Sequence, residues 1–143
     1  LVFDQGVGDI FSARIAGNFV NEDILGSLEF ACKAAGAKLI LVLGHTSCGA
    51  VKGACDNVEL GNLTSLLQKL KPAVDATREP TDPALRNSTN AEFVNEVALT
   101  NVHLTMDAIR ERSPVLQEML DAGEIGLAGA MYDVQTGTVE VLD

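Results

Sequence analysis

A histidine and a cysteine three residues apart, His45 and Cys48, lie in the run Gly44-His45-Thr46-Ser47-Cys48-Gly49-Ala50. Imidazole and thiolate are the borderline-soft donors that Zn2+ prefers, at about 2.0–2.1 Å and 2.3 Å. A thiol at the start of a helix ionises more easily, and only the thiolate binds metal. Gly49 keeps the first turn of that helix clear of a Cβ, so a small substrate or its oxyanion can approach the backbone. Taken alone, the same spacing also fits a buried cysteine in a tight turn beside a histidine at a sheet edge. A phosphate-binding loop is excluded, because Lys52 stands three residues past Gly49 and is followed by Gly53 rather than Ser or Thr. The G-x-S-x-G nucleophile elbow is not matched either.

The elements around this pair read as strand, turn and helix. Lys38–Leu43 (KLILVL) is a continuous apolar run, the mark of a strand covered on both faces and flanked by strands on both sides. Gly44 ends it, and a helix opens at Cys48. Upstream, Asp9–Ala16 reads as a strand containing Arg14, closed by Gly17-Asn18. Asn21–Ala35 follows as a helix with Asn21 as N-cap and Gly36 as its stop. Downstream, Leu60–Val74 and Ala91–Arg112 carry apolar stripes at helical spacing, and Pro114 opens a further helix that stops at Gly123. Ile125–Tyr132 reads as a strand with small residues on one face, Asp133–Gly137 as a turn, and Thr138–Leu142 as an antiparallel last strand. Alternation of strands and helices predicts an α/β fold: a mostly parallel central sheet flanked by helices. Reactive groups in such sheets gather at the carboxyl ends of strands, where His45 and Cys48 fall.

The stretch 77–90, with Pro80 and Pro83, reads as a surface loop rather than a linker, since neither flank could stand alone; residues 1–143 are expected to form a single domain. No apolar run reaches the roughly 20 residues of a membrane span. Ten basic against twenty acidic residues, a net charge of −10, argue against nucleic acid and against an anionic membrane surface. Three cysteines and no export signal point to reduced thiols in a cytoplasm, with metal or catalytic use favoured over disulfides. Cys32 falls on a buried stripe and Cys55 at a helix end, both read as structural. Asp4 is read as a turn residue and His103 as a surface or interface histidine. The chain lacks an initial Met and opens on an apolar triplet, so Leu1 is not expected to be the biological N-terminus.

Three motifs in order, Gly8-Asp-Ile-Phe-Ser-Ala-Arg-Ile-Ala-Gly-Asn18, Gly44–Ala50 after its buried strand, and Gly129–Val139, together resemble the β-class carbonic anhydrases along the whole chain. That family carries G-D-[LI]-F-x-x-R-x-A-G-N, then G-H-x-x-C-G-A, then G-x-x-Y-D-x-x-T-G-x-V. The resemblance implies that His45 and Cys48 are two ligands of a catalytic Zn2+ and that the reaction is reversible hydration of carbon dioxide to bicarbonate. It implies that Arg14 lies near the active-site cleft, that Gln5 of Phe3-Asp4-Gln5-Gly6 orients substrate, and that Gly49 is the glycine beside the cysteine ligand. A dimer, or a dimer of dimers, is implied too, with active sites at the subunit boundary. The family draws its other cysteine ligand from a Cys-x-Asp-x-Arg segment, which the resemblance puts a few residues upstream of Leu1. The 143-residue chain is therefore expected to lack the N-terminal part of the fold and to be inactive alone. Alternatives remain open: a zinc hydrolase of carbonyl sulfide or carbon disulfide on the same scaffold, a silent member acting as an interaction or regulatory module, or a thiol enzyme using Cys48 with His45 as base.

Overall fold

The computed structural model describes residues 2–142; Leu1 and Asp143 lie outside the described residues. Its centre is a three-stranded sheet in the order β1–β2–β3. Strand β1 (Leu39–His45) runs parallel to β2 (Gly126–Tyr132), pairing Leu39 with Gly126 and His45 with Tyr132. Strand β3 (Val139–Leu142) returns antiparallel to β2, pairing Tyr132 with Val139. The turn between them is held by Asp133, whose Oδ1 accepts from the backbone N–H groups of Gln135 (2.7 Å) and Thr136 (3.1 Å). The expected mixed α/β sheet is therefore present.

Helices fill the crossover from β1 to β2. They are α2 (Gly49–Cys55), α3 (Gly61–Gln68), α4 (Lys71–Ala76), α5 (Ala91–Arg112) and α6 (Pro114–Asp121), with α1 (Glu22–Glu29) preceding β1. Helix α5 lies across both β1 and β2. Two glycines allow that close approach. A Cβ on Gly44 would sit 2.6 Å from Val102 Cγ2, and one on Gly129 would sit 2.7 Å from Met106 Sδ. Gly129 shares its face of β2 with Leu127 and Met131, and α5 rests on that face; the small residues Gly126, Ala128 and Ala130 point to the opposite one. Phe93, Val94, Val97, Val102 and Ile109 of α5 are all buried, joined in the core by Leu70 and Leu116. Asn21 caps α1 as expected, its Oδ1 accepting from Ile24 N–H at 2.9 Å. The helix then widens into a π turn over Phe30–Ala34 and ends at Gly36, whose φ is +83°.

Three expectations are corrected. Residues 9–16 form no strand among the described residues. Ile10 and Phe11 are 51% and 48% exposed, and Ile15 alone of their large apolar side chains packs against the core. Period-two patterning describes a strand only where a neighbouring strand takes up the backbone hydrogen bonds. Second, Lys38–Leu43 is not enclosed. Strand β1 is a sheet edge among the described residues, and along it Ile40, Val42 and Gly44 are buried while Leu39 and His45 are exposed. Third, the single helix read over Leu60–Val74 breaks at Lys69-Leu70 into α3 and α4. Pro72 is the cause: it has no N–H to donate, and its ring would clash with the carbonyl four residues back.

Candidate metal centre

Both candidate donors are set by the turn between β1 and α2. His45 is the last residue of β1, and Thr46 continues the ladder by donating its N–H to Tyr132 O at 2.9 Å. Thr46 Oγ1 in turn accepts from Val134 N–H at 3.1 Å, tying the turn to the end of β2. Ser47 adopts φ +57°, and its N–H donates to Asn95 Oδ1 of α5 at 3.1 Å. That left-handed residue reverses the chain so that Cys48 becomes the N-cap of α2, with extended φ −61° and ψ 121°. Cys48 is buried and His45 exposed, the arrangement of a donor rooted in the core facing one at the rim.

The imidazole is oriented. His45 Nδ1 lies 2.9 Å from Thr46 O. A carbonyl only accepts, so Nδ1 carries the proton in this contact and the neutral ring presents its lone pair at Nε2. Metal-bound histidines are fixed by the same kind of backbone hydrogen bond. No hydrogen bond joins Cys48 to His45 among the described residues; the ring's one contact there is to Thr46 O.

His45 and Cys48 meet at a small cavity of about 10 Å3 that is also walled by Gly17, Asn18, Gly44 and Asn101. That volume holds about one water-sized group. The donor types suit Zn2+, but they are two, and no group of three or more His, Cys, Asp or Glu that could hold a metal occurs among the described residues. Cys32 and Cys55 are buried elsewhere. The Cys55 thiol is pushed up to about 11, first by burial and then by the negative charge of Asp56, as befits a core cysteine rather than a ligand.

The remaining sequence-derived candidates stand apart from this cavity. Gly49 is the first residue of α2, and a Cβ built on it would meet nothing within 4 Å, so the space before it is open. Arg14 is exposed on the irregular N-terminal segment. Gln5 is exposed as well, its Nε2 donating to Phe3 O at 2.9 Å. Asn101 and Thr105 were not singled out by sequence reasoning. They are polar residues four apart on the buried face of α5, which was the signal available.

A family model described as carbonic anhydrase matches residues 1–139. The chain belongs to the β-class carbonic anhydrase family. Carbonic anhydrase 2 of Mycobacterium tuberculosis is 30% identical over 148 residues, covering 100% of this chain and 67% of that protein. The crystal structure of the β-carbonic anhydrase CafA of Aspergillus fumigatus superposes with a TM-score of 0.83 at 30% identity, covering 99% of this chain and 67% of that one. A tetrameric β-carbonic anhydrase of Sordaria macrospora shares the fold, with a TM-score of 0.81 at 22% identity over 99% of this chain and 72% of that one. In these β-carbonic anhydrase comparisons the chain spans about two thirds of each relative.

Proposed function

We propose that this protein is a zinc-dependent carbonic anhydrase, catalysing the reversible hydration of carbon dioxide to bicarbonate and a proton. One observation carries the reading: a buried Cys48 and a His45 with a free Nε2 converge on one water-sized cavity at the carboxyl end of β1. His45 and Cys48 would hold the metal, with the rest of the ligand set coming from outside the described residues. Bound Zn2+ supplies Lewis acidity that brings the pKa of water to about 7, making hydroxide available to carbon dioxide at neutral pH. Thr46 O keeps the His45 ring in its ligating tautomer, and the open space over Gly49 admits a small substrate. Arg14 and Gln5 are proposed to reach the cleft once the N-terminal segment is docked.

Self-association as a dimer or dimer of dimers would dock it. Val2, Phe3, Val7, Ile10 and Phe11 are exposed on that segment, more apolar surface than a solvated arm needs, and the Sordaria relative is a tetramer. Residues 1–143 are proposed to act as one domain. Among the described residues no helix is long and apolar enough to cross a membrane; a cytoplasmic site of action is part of the proposal. The test uses the full-length gene product. One zinc per chain by elemental analysis and carbon dioxide hydration by stopped flow are expected. Bound zinc with hydrolysis of carbonyl sulfide but no hydration would reassign the substrate, and a metal-free protein would overturn the reading.

A further inference from the structure

Among the buried side-chain nitrogens and oxygens described, one has no partner: Nδ2 of Asn18. It belongs to a residue that walls the His45–Cys48 cavity. A buried amide N–H without an acceptor is costly, so the group calls for an acceptor outside the chain: a water, an ion or a ligand. The turn carrying it is fastened with unusual care. Gly17 and Asn18 both take positive φ, +85° and +52°. Leu70 closes on Gly17 so tightly that a Cβ there would lie 2.6 Å from its Cδ1. Asn101 Nδ2 donates to Gly17 O at 2.8 Å and to Asn18 O at 3.1 Å, and Thr105 Oγ1 donates to Asn18 O at 2.9 Å. Asn101 and Thr105 are each 5% exposed, so these bonds are shielded from water. Three hydrogen bonds thus fix the Gly17–Asn18 backbone, two of them on Asn18 O, while the Asn18 Nδ2 is left unspent in a residue beside two candidate metal donors.

We infer that the Asn18 carboxamide donates a hydrogen bond to a small oxyanion, bicarbonate in the proposed reaction, one oxygen of which enters the His45–Cys48 cavity, and that Asn101 and Thr105 are positioning residues for it. The inference rests on the zinc reading above. A purely conformational role would ask of residue 18 only that it tolerate positive φ, which Gly does better than Asn. A role as donor asks for the amide.

Asn18→Gly separates the two. In the zinc-loaded full-length protein, bicarbonate titrated against amide 1H–15N spectra is expected to bind about tenfold more weakly to Asn18→Gly, the worth of one hydrogen bond. Zinc stoichiometry should stay as in the wild type. In the wild type, the Asn18 side-chain NH2 resonances should move with bicarbonate, a measurement that needs no variant. Thr105→Val should weaken bicarbonate binding and Thr105→Ser, which keeps the hydroxyl, should restore it. Wild-type bicarbonate affinity in Asn18→Gly, or NH2 resonances that do not respond, overturns the inference and leaves the zinc reading intact. A wild-type protein that takes up no zinc removes the reading, and the inference with it.

Discussion

Residues 2–16 carry the candidates Gln5 and Arg14, and residues 39–55 carry His45, Cys48 and Gly49, yet the two stretches are built in opposite ways. The second stretch runs from β1 through the Thr46–Ser47 turn into α2, anchored by Tyr132, Val134 and Asn95, with Ile40, Val42, Cys48 and Val51 buried. The first is irregular and exposed: Val7 stands wholly in solvent, and Gln5 bonds only to its own segment. Metal donors need fixed geometry within the chain, whereas groups that act from across a subunit boundary can wait for their partner to be placed. Under the proposed function, the contrast separates what the chain would supply by itself from what it would supply only in an assembly.

The sharpest way to break that contrast is at the anchored end. Loss of an outer-shell partner already costs a metal site roughly 10–100-fold, so Cys48→Ser and His45→Ala are each expected to lower zinc affinity in the full-length protein by more than about 100-fold. Competition with a chromophoric chelator measures it, and wild-type affinity in either variant would place the metal elsewhere. Next comes stability. Phe93→Ala, at a fully buried position, is expected to cost about 3–5 kcal/mol, against within about 0.5 kcal/mol for Val7→Ser. Urea unfolding compares them, and a Val7→Ser cost that grows with protein concentration would show the segment buried between copies. Arg14→Ala should then reduce kcat/KM about tenfold, the worth of one charge-assisted hydrogen bond, with zinc content unchanged. Loss of zinc in that variant would mean that the N-terminal segment shapes the metal centre itself.

The smallest effect concerns Cys55, in the anchored half. Its thiol titrates at about 11 in the fold against an ordinary 9.0. The fold thus holds the proton more tightly than the unfolded chain does. The stability that this contributes is complete below 9.0 and is lost as pH rises through about 11. Unfolding midpoints on either side of that window should fall with pH in the wild type and fall less in Cys55→Ala.

Much of the fold was legible because its signals are local. The N-cap at Asn21, the stop at Gly36 and the turn at Asp133–Gly137 depend on residues a few positions apart, and the structure has each of them. The α5 stripe was equally readable, since 3.6-residue spacing states which face is inward. The break between α3 and α4 was legible too, in Pro72, but the leucine periodicity of Leu60–Val74 masked it. Asp9–Ala16 failed for a different reason: alternation cannot say whether a partner strand exists.

By itself the sequence determined the family, the order of strands and helices around His45 and Cys48, and the chemistry that two such donors can do, because these reside in residue types and short spacings. Only the tertiary structure decided which groups share the cavity. Asn18 and Asn101 are 83 positions apart and are joined by one hydrogen bond. Gly44 lies under α5 because Val102 leaves no room for a Cβ. Such contacts depend on how α5 crosses the sheet, and that is settled by packing the whole core at once.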